Sequence, residues 1–132
     1  MTAGPPRAPT ARRAPPVIGL DLLEIDRLEQ ALARRPGLAQ RLFTDGERAY
    51  AATAGRPAQH LAARFCAKEA VSKALRMDVL RPREIEVVGG GDTPPGIALH
   101  GAVAARAAEL GVRVAVSLTH TRTTAGAVAV LE

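Results

Sequence analysis

The chain has 132 residues, of which 47% are hydrophobic and only 2% aromatic, and its formal net charge is +5. This length fits one domain with a modest core, built mainly from Ala, Val and Leu because aromatic side chains are so few. Small side chains bury little area each, which favours further burial in an oligomer interface. The positive balance favours an acidic partner or a phosphorylated ligand.

The single cysteine, Cys66, cannot form an internal disulfide and indicates a reducing compartment, where it is expected to pack as a small apolar residue. No apolar run approaches the roughly 18 residues of a membrane span. Residues 1–16 contain prolines and arginines but no apolar stretch of the kind that a secretory signal needs. We therefore expect a disordered tail over 1–16, with a transit peptide as the alternative, and one domain over 17–132 in a cytoplasmic protein without a membrane segment.

The folded part begins with VIGLDLLEI, residues 17–25, which predicts a buried strand that is apolar on both faces. Asp21 lies in the middle of this run. An ionised carboxylate at such a position is costly unless it is paired, hydrogen-bonded or bound to a cation. Asp21 is therefore a candidate cation ligand, and a carboxylate that caps a neighbouring turn is the alternative.

Helices and short strands follow in the rest of the chain. Residues 25–37 predict a short helix with Asp26 as a possible N-cap. Thr44 and Glu47 have the spacing of a capping box, which predicts a second helix through about Ala52. The remaining predicted elements are a long central helix over about 58–77, strands at 84–88 and near 97–99, a helix at 101–110, and two final strands at 112–119 and about 125–131.

The central helix carries charges inside its apolar stripe. At about 100° per residue, one face of the helix presents Leu61, Phe65, Val71 and Leu75. Arg64 and Lys68 project from the same arc, where cations are rare unless they are paired or reach a polar pocket. Glu69 and Lys73 stand one turn apart beside them. This pattern indicates a site for an anion, with or without a metal; the alternative is that the cations brace the fold and Glu69 makes an ordinary i, i+4 pair.

Asp21 and Glu69 are two carboxylates without enough neighbouring histidine or cysteine for a zinc site. Hard oxygen ligands of this kind suit Mg²⁺, which takes one or two carboxylates and fills its other positions with water and substrate phosphate. The nearby cations would then neutralise phosphate charge.

Polar side chains collect at the end of the first of the two final strands. Ser117, Thr119 and His120 lie there, at a common place for ligand contacts, although a strand end that satisfies its own turn is the alternative. His120 could hydrogen-bond a phosphate or transfer a proton near neutral pH. His60 and His100 lack such neighbours in sequence and are expected to be surface or structural histidines.

Four segments, in this order and spacing, resemble the holo-acyl-carrier-protein synthase type of 4′-phosphopantetheinyl transferase: GLDLLEIDR, RLFTDGE, ARFCAKEAVSKAL and VSLTHT. The resemblance covers residues 18–131. The combination of G-x-D near the start with R-F-x-A-K-E-A-x-x-K-A in the middle is specific, whereas either motif alone is only suggestive. Cys66 stands where alanine is usual, and the glycine-rich loop at 89–96 and the tail depart from the family pattern.

The resemblance implies an α+β fold, with a small antiparallel sheet packed against a long central helix, and a homotrimer with active sites between subunits. It also implies an enzyme that transfers the phosphopantetheine arm of coenzyme A to a serine of an acyl, polyketide or peptidyl carrier protein. Asp21 and Glu69 match the family's Mg²⁺ ligands, and Arg27 matches an arginine that meets the acidic carrier helix. The residues expected to contact coenzyme A are Arg64, Lys68, Lys73, Ser117, Thr119 and His120.

In the implied reaction the carrier serine attacks the β-phosphate and adenosine 3′,5′-bisphosphate leaves. Asp21, Glu69 and Lys73 are the expected catalytic residues: the two carboxylates hold Mg²⁺ and Lys73 offsets charge on the leaving group. The base that takes the proton of the serine is either Glu69 or a metal-bound water.

Three other functions compete with this hypothesis. A basic nucleic-acid-binding module is disfavoured, because only two Phe and one Tyr are available for base stacking, and no nucleic-acid partner is expected. A Mg²⁺-dependent hydrolase of nucleotides or coenzyme A would use the same two carboxylates. A catalytically silent carrier-protein binder is the third alternative.

Overall fold

The structure, a computed structural model, describes Gly4 and residues 17–132; the predicted tail therefore lies almost entirely outside the described residues. The elements in chain order are β1 (Ile18–Glu24), α1 (Ile25–Arg34), α2 (Leu38–Leu42), α3 (Asp45–Ala52), α4 (Pro57–Ala74), a 3₁₀ turn (Pro82–Glu84), β2 (Ile85–Gly90), β3 (Thr93–Leu99), α5 (Gly101–Leu110), β4 (Val114–His120) and β5 (Thr124–Leu131).

A three-stranded antiparallel sheet in the order β1-β5-β4 forms the main layer, and β2 and β3 form a separate hairpin. The long helix α4 packs against all three strands of the main sheet. It can lie close to the sheet because the central strand β5 turns only small buried side chains, Ala125, Ala127 and Ala129, towards the core. The predicted α+β fold, a small antiparallel sheet on a long central helix, is confirmed.

Local sequence signals located α1, α3, α4 and α5, but they missed the short helix α2 and misplaced two helix ends. The capping box is confirmed, since Thr44 and Glu47 satisfy each other's backbone N–H groups. The prediction that Asp26 is an N-cap is wrong, because Glu24 occupies that position and Asp26 lies in the first turn. Helix α4 ends at Ala74, earlier than predicted, because Arg76 adopts φ 55°, a left-handed conformation that apolar periodicity does not signal.

Helix α4 is buried around most of its circumference and not along a single stripe. It contacts the sheet on one side and α1, α3 and β2 on others. Arg64 and Lys68 are consequently buried, while Phe65 in the predicted apolar stripe is only half-buried. In the part of the chain that the structure describes, no helix has both the length and the apolar character needed to cross a membrane.

Gly19 allows β1 to lie directly against α4. A Cβ atom added at Gly19 would overlap the carbonyl oxygen of Ala70 in the helix backbone. Because alternate residues of a strand share a face, Asp21 also points towards α4. The close contact at Gly19 therefore brings the Asp21 carboxylate to the helix that carries Glu69.

We expect Gly19→Ala to lower the free energy of unfolding by about 1–3 kcal/mol, because the strand must move away from the helix to admit the methyl group. Denaturant unfolding followed by circular dichroism measures this change. Gly55→Ala is the matched control, since no atom lies within 4 Å of a Cβ at that position. Equal unfolding midpoints for the Gly19 variant and the wild type would contradict the close contact.

The opposite face of β1 is apolar and uncovered in the single chain. Ile18, Leu20 and Leu22 remain 61%, 60% and 67% exposed. The prediction that both faces of this strand are buried is therefore wrong for one chain, where only the face towards α4 is covered. Contiguous apolar surface of this kind is typical of a protein interface.

Candidate active site

Asp21 of β1 and Glu69 and Lys73 of α4 meet where the strand crosses the helix. Lys73 Nζ donates to Asp21 Oδ1 at 3.3 Å and to the carbonyl oxygen of Leu20 at 3.1 Å. Partial burial raises the pKa of Glu69, the charge of Asp21 raises this pKa further, and Lys73 acts in the opposite direction. The structure thus brings together the three residues that the sequence predicted to be catalytic.

The two carboxylates have the chemistry of a magnesium site. They offer oxygen ligands, and a bound cation would relieve the repulsion that raises the pKa of Glu69. Among the described residues, no group of three or more His, Cys, Asp or Glu side chains is placed to hold a metal ion. Two carboxylates fit an ion that takes its remaining ligands from water and a substrate phosphate, as Mg²⁺ does.

Cys66 lies beside this group on α4 and is buried. Its Sγ donates to the carbonyl oxygen of Ala125 at 3.6 Å. Burial, together with the neighbouring charge of Asp21, raises the pKa of the thiol to about 12. Cys66 is therefore neutral at physiological pH and packs as a small side chain, as predicted.

A second row of functional side chains runs from α4 to the end of β4. The guanidinium carbon of Arg64 lies 4.1 Å from the centre of the Tyr50 ring, and Arg64 Nη2 donates to the carbonyl oxygen of Gly89 at 3.1 Å. The Tyr50 and His60 ring centres are 5.7 Å apart, and those of His60 and His120 are 6.0 Å apart. The row connects Arg64 to His120 through two aromatic rings.

A cavity of about 310 Å³ opens beside Arg64. Its lining residues are Gly46, Tyr50, Arg64, Glu86, Val87, Val88, Gly89 and Gly90. The Nε atom of Arg64 is buried and has no hydrogen-bond partner in the structure. Arg64 therefore braces the β2–β3 hairpin, through Gly89, and contributes to the wall of a cavity; its predicted contact with a phosphate stays a prediction.

The structure contradicts the predicted contact between Lys68 and a coenzyme A phosphate. The Lys68 side chain is fully buried, and its Nζ donates at 2.6 Å to Glu47 Oε1 and to the carbonyl oxygens of Pro82 and Ile85. An ammonium group has three protons, and all three are used inside the protein. Lys68 is therefore a structural residue that joins α3 and α4 to the start of β2.

Sequence reasoning missed the second role of Glu47. Beyond capping α3, its Oε1 accepts from Lys68 Nζ, and its Oε2 accepts from the backbone N–H of Val87 at 2.9 Å. A buried lysine requires an acidic partner, and that requirement is the signal that could have directed attention to Glu47.

Ser117 and Thr119 are exposed. Within a single chain they lie away from Asp21 and Glu69. Alternate residues of β4 point to opposite faces of the sheet. His120 faces α4, where it contacts His60, so the two hydroxyls lie on the other face. Their predicted contact with coenzyme A stays a prediction that requires a neighbouring chain.

Arg27 is exposed on α1, the helix that directly follows β1. Its guanidinium group is accessible to a partner, and its predicted contact with a carrier protein stays a prediction.

Known proteins resemble the chain over nearly all of its described length. A family model described as the 4′-phosphopantetheinyl transferase superfamily matches residues 17–126. The holo-[acyl-carrier-protein] synthase of Moorella thermoacetica is 44% identical over 117 residues, which is 86% of this chain and 91% of that protein. The synthase of Streptomyces avermitilis is 46% identical over 117 residues, or 87% of this chain and 95% of that protein.

Solved structures agree with the sequence relatives. The holo-[acyl-carrier-protein] synthase of Neisseria meningitidis has a TM-score of 0.78 at 28% identity, covering 87% of this chain and 96% of its own. An ACPS-CoA complex from Chronobacterium ammoniagenes has a TM-score of 0.78 at 30% identity, covering 89% of this chain and 96% of its own. The chain therefore belongs to the holo-[acyl-carrier-protein] synthase family of the 4′-phosphopantetheinyl transferase superfamily.

Proposed function

We propose that this phosphopantetheinyl transferase moves the 4′-phosphopantetheine arm of coenzyme A to a serine of an apo acyl, polyketide or peptidyl carrier protein in a Mg²⁺-dependent reaction. Adenosine 3′,5′-bisphosphate is the second product. The observation that carries the proposal is the meeting of Asp21, Glu69 and Lys73 at the crossing of β1 and α4. The lone buried cysteine supports a reducing, cytoplasmic location.

Asp21 and Glu69 are the residues that would hold Mg²⁺, which when bound supplies charge neutralisation at the diphosphate of coenzyme A. In the transfer, the serine Oγ forms a bond to the β-phosphorus, and the bond from this phosphorus to the bridging oxygen breaks. The bridging oxygen leaves with the bisphosphate. Lys73, held by Asp21 and the Leu20 carbonyl, offsets the negative charge that develops on this leaving group.

The serine must also lose its proton. Glu69 is our candidate for the base because its carboxylate lies at the crossing of β1 and α4, beside Asp21 and Lys73. Burial and the charge of Asp21 raise its pKa when no cation is bound, and a bound Mg²⁺ would act in the opposite direction.

We place the nucleotide end of coenzyme A in the cavity beside Arg64. The cavity has an arginine in its wall, and the row of Tyr50 and His60 links that arginine to His120. Arg64 and His120 are thus two hydrogen-bond donors on one path, suited to the phosphates of a nucleotide.

Incubation with coenzyme A, MgCl₂ and a panel of apo carrier proteins from fatty acid, polyketide and peptide assembly tests this function. Intact-mass spectrometry should show one carrier gaining a single phosphopantetheine group, and EDTA should stop the gain. Water-dependent cleavage of coenzyme A with no modified carrier would instead identify a hydrolase. Binding of a carrier without either reaction would identify a silent binder.

Arg27→Ala is expected to raise KM for the carrier protein by about three- to tenfold and to leave KM for coenzyme A unchanged. A peripheral arginine mainly steers an acidic partner, so the difference between variant and wild type should shrink as salt increases. Steady-state kinetics at two salt concentrations measures both effects. Arg34→Ala, on the same helix and expected to lie on a solvated face, is the matched control. A loss confined to coenzyme A affinity would contradict the assignment.

The uncovered face of β1 supports a homotrimer with active sites between subunits. Cross-strand pairing places Leu20 opposite Val128, and Val128 opposite Ser117, so the apolar stripe and Ser117 share one face of the sheet. Subunits that meet on this face would bring the hydroxyls of β4 into an interface. Within one chain, Ser117 and Thr119 lie on the opposite face of the sheet from Asp21 and Glu69. In the trimer they would contribute to the active site of a neighbouring subunit.

Leu20→Lys is expected to dissociate the trimer and abolish transfer, because a charge would enter an apolar interface. Light scattering coupled to size exclusion should give the wild type a mass three times the 13.8 kDa of one chain. Val79→Lys alters another exposed apolar residue, 65% accessible, and should keep the wild-type mass. A monomeric wild-type protein with full activity would refute the assembly.

A further inference from the structure

The start of α4 holds the turn that follows β4 through successive contacts. Arg56 Nη1 donates to the carbonyl oxygen of Arg122 at 2.5 Å, and Gln59 Nε2 donates to the carbonyl oxygen of Thr121 at 3.1 Å. These two carbonyls belong to the residues directly after His120. The backbone that carries His120 is therefore tied to the helix by two side chains.

His60, the next residue along the helix, contacts the His120 ring itself. The two imidazole centres are 6.0 Å apart and their planes make an angle of 64°, which is an edge-to-face arrangement. On its other side His60 meets Tyr50 of α3, again edge-to-face, at 5.7 Å and 70°. His60 thus fills the space between α3 and the end of β4.

Burial and the charges around His60 favour the neutral form of its ring. The groups that face it are Tyr50 from α3, His120 from β4 and Arg64 one turn along its own helix. Partial burial, Arg64 and His120 all lower the pKa of His60. A neutral His60 ring can pack against His120 without like-charge repulsion.

We propose that His60 is a positioning residue that holds the imidazole of His120 in the orientation in which it meets the phosphates of coenzyme A. His60 itself touches no substrate. The role rests on the proposed function, since it acts only through His120. Residue type at position 60 thereby tunes coenzyme A affinity, a role that a surface or structural histidine would not have.

The binding test compares variants by calorimetric titration of the full-length protein with coenzyme A and MgCl₂. His60→Ala should raise the Kd for coenzyme A by about three- to tenfold, the range expected for loss of one aromatic pair. His60→Phe should restore affinity to within about twofold because it keeps the edge-to-face packing. Should His60→Ala lower the melting temperature, His60→Gln replaces it with the same expected loss.

A double-mutant cycle separates positioning from general structural damage. In the His120→Ala background, His60→Ala should add less than a twofold change, because the ring that it positions is already absent. Additive effects of the two substitutions, or failure of His60→Phe to restore affinity, would overturn the proposal.

Titration of the imidazoles by NMR tests the contact without any use of transfer activity. The chain has three histidines, so single substitutions assign every signal. The pKa of His60 should rise in His120→Ala, since one of the charges that lowers it is removed. An unchanged His60 pKa would overturn the positioning role, whereas absence of transfer to every carrier would refute the proposed function, so the two failures are distinguishable.

Discussion

Lys68→Met is expected to lower the free energy of unfolding by about 3–5 kcal/mol. Methionine fills a similar volume but removes the ammonium group that the Glu47 carboxylate contacts at 2.6 Å. Both side chains are fully buried, so Glu47 would remain as an uncompensated charge in the interior. The carbonyls of Pro82 and Ile85 would lose their donor as well.

Denaturant unfolding followed by circular dichroism measures this loss. The double variant Lys68→Met with Glu47→Gln should be less destabilised than the sum of the two single variants, because it leaves no unpaired charge. Lys73→Met removes a half-exposed lysine from the same helix and is the matched control: it should lower the midpoint less than Lys68→Met does while slowing transfer. A Lys68→Met protein with wild-type stability and a raised KM for coenzyme A would restore the original phosphate-binding prediction.

Glu69→Gln is expected to slow transfer by about 100-fold or more, because it removes both a proposed metal ligand and the proposed base. The same substitution should raise the stability of the protein at neutral pH in the presence of EDTA. The reason is that burial and Asp21 raise the pKa of Glu69, so its ionised form disfavours the folded state. Activity and stability should therefore change in opposite directions.

The sign of this effect can be followed with pH. A folded-state pKa above the unfolded value contributes stability at low pH that is lost as pH rises through the raised pKa. The advantage of Glu69→Gln should thus be present at neutral pH and disappear in acid, where Glu69 is protonated. Thermal unfolding of the variant and the wild type in EDTA, between about pH 4 and pH 8, measures this difference in stability. Glu24→Gln, an exposed carboxylate without a capping hydrogen bond, should not raise stability. A Glu69→Gln protein that transfers phosphopantetheine at a near-normal rate at limiting Mg²⁺ would refute the assignment of Glu69 as metal ligand and base.

Asp21 was predictable because a charge in an apolar strand requires a compensating partner wherever the strand packs. Glu69 was indicated by its place beside the cations of α4 and by its match to the family motif. The capping box at Thr44 and Glu47 was also predictable, since its hydrogen bonds join residues three positions apart. Apolar periodicity predicted the elements α4, β4 and β5. The family motifs indicated the reaction that we propose.

The sequence by itself determined that α4 carries buried cations, but only the tertiary structure decided what each cation contacts. The partners of Lys68 are 14, 17 and 21 residues away in the chain, on three different elements, so no local pattern could distinguish them from a bound phosphate. The contact of His60 with His120 likewise joins α4 to β4. Periodicity describes one element at a time, whereas burial and ion pairing depend on which elements pack together.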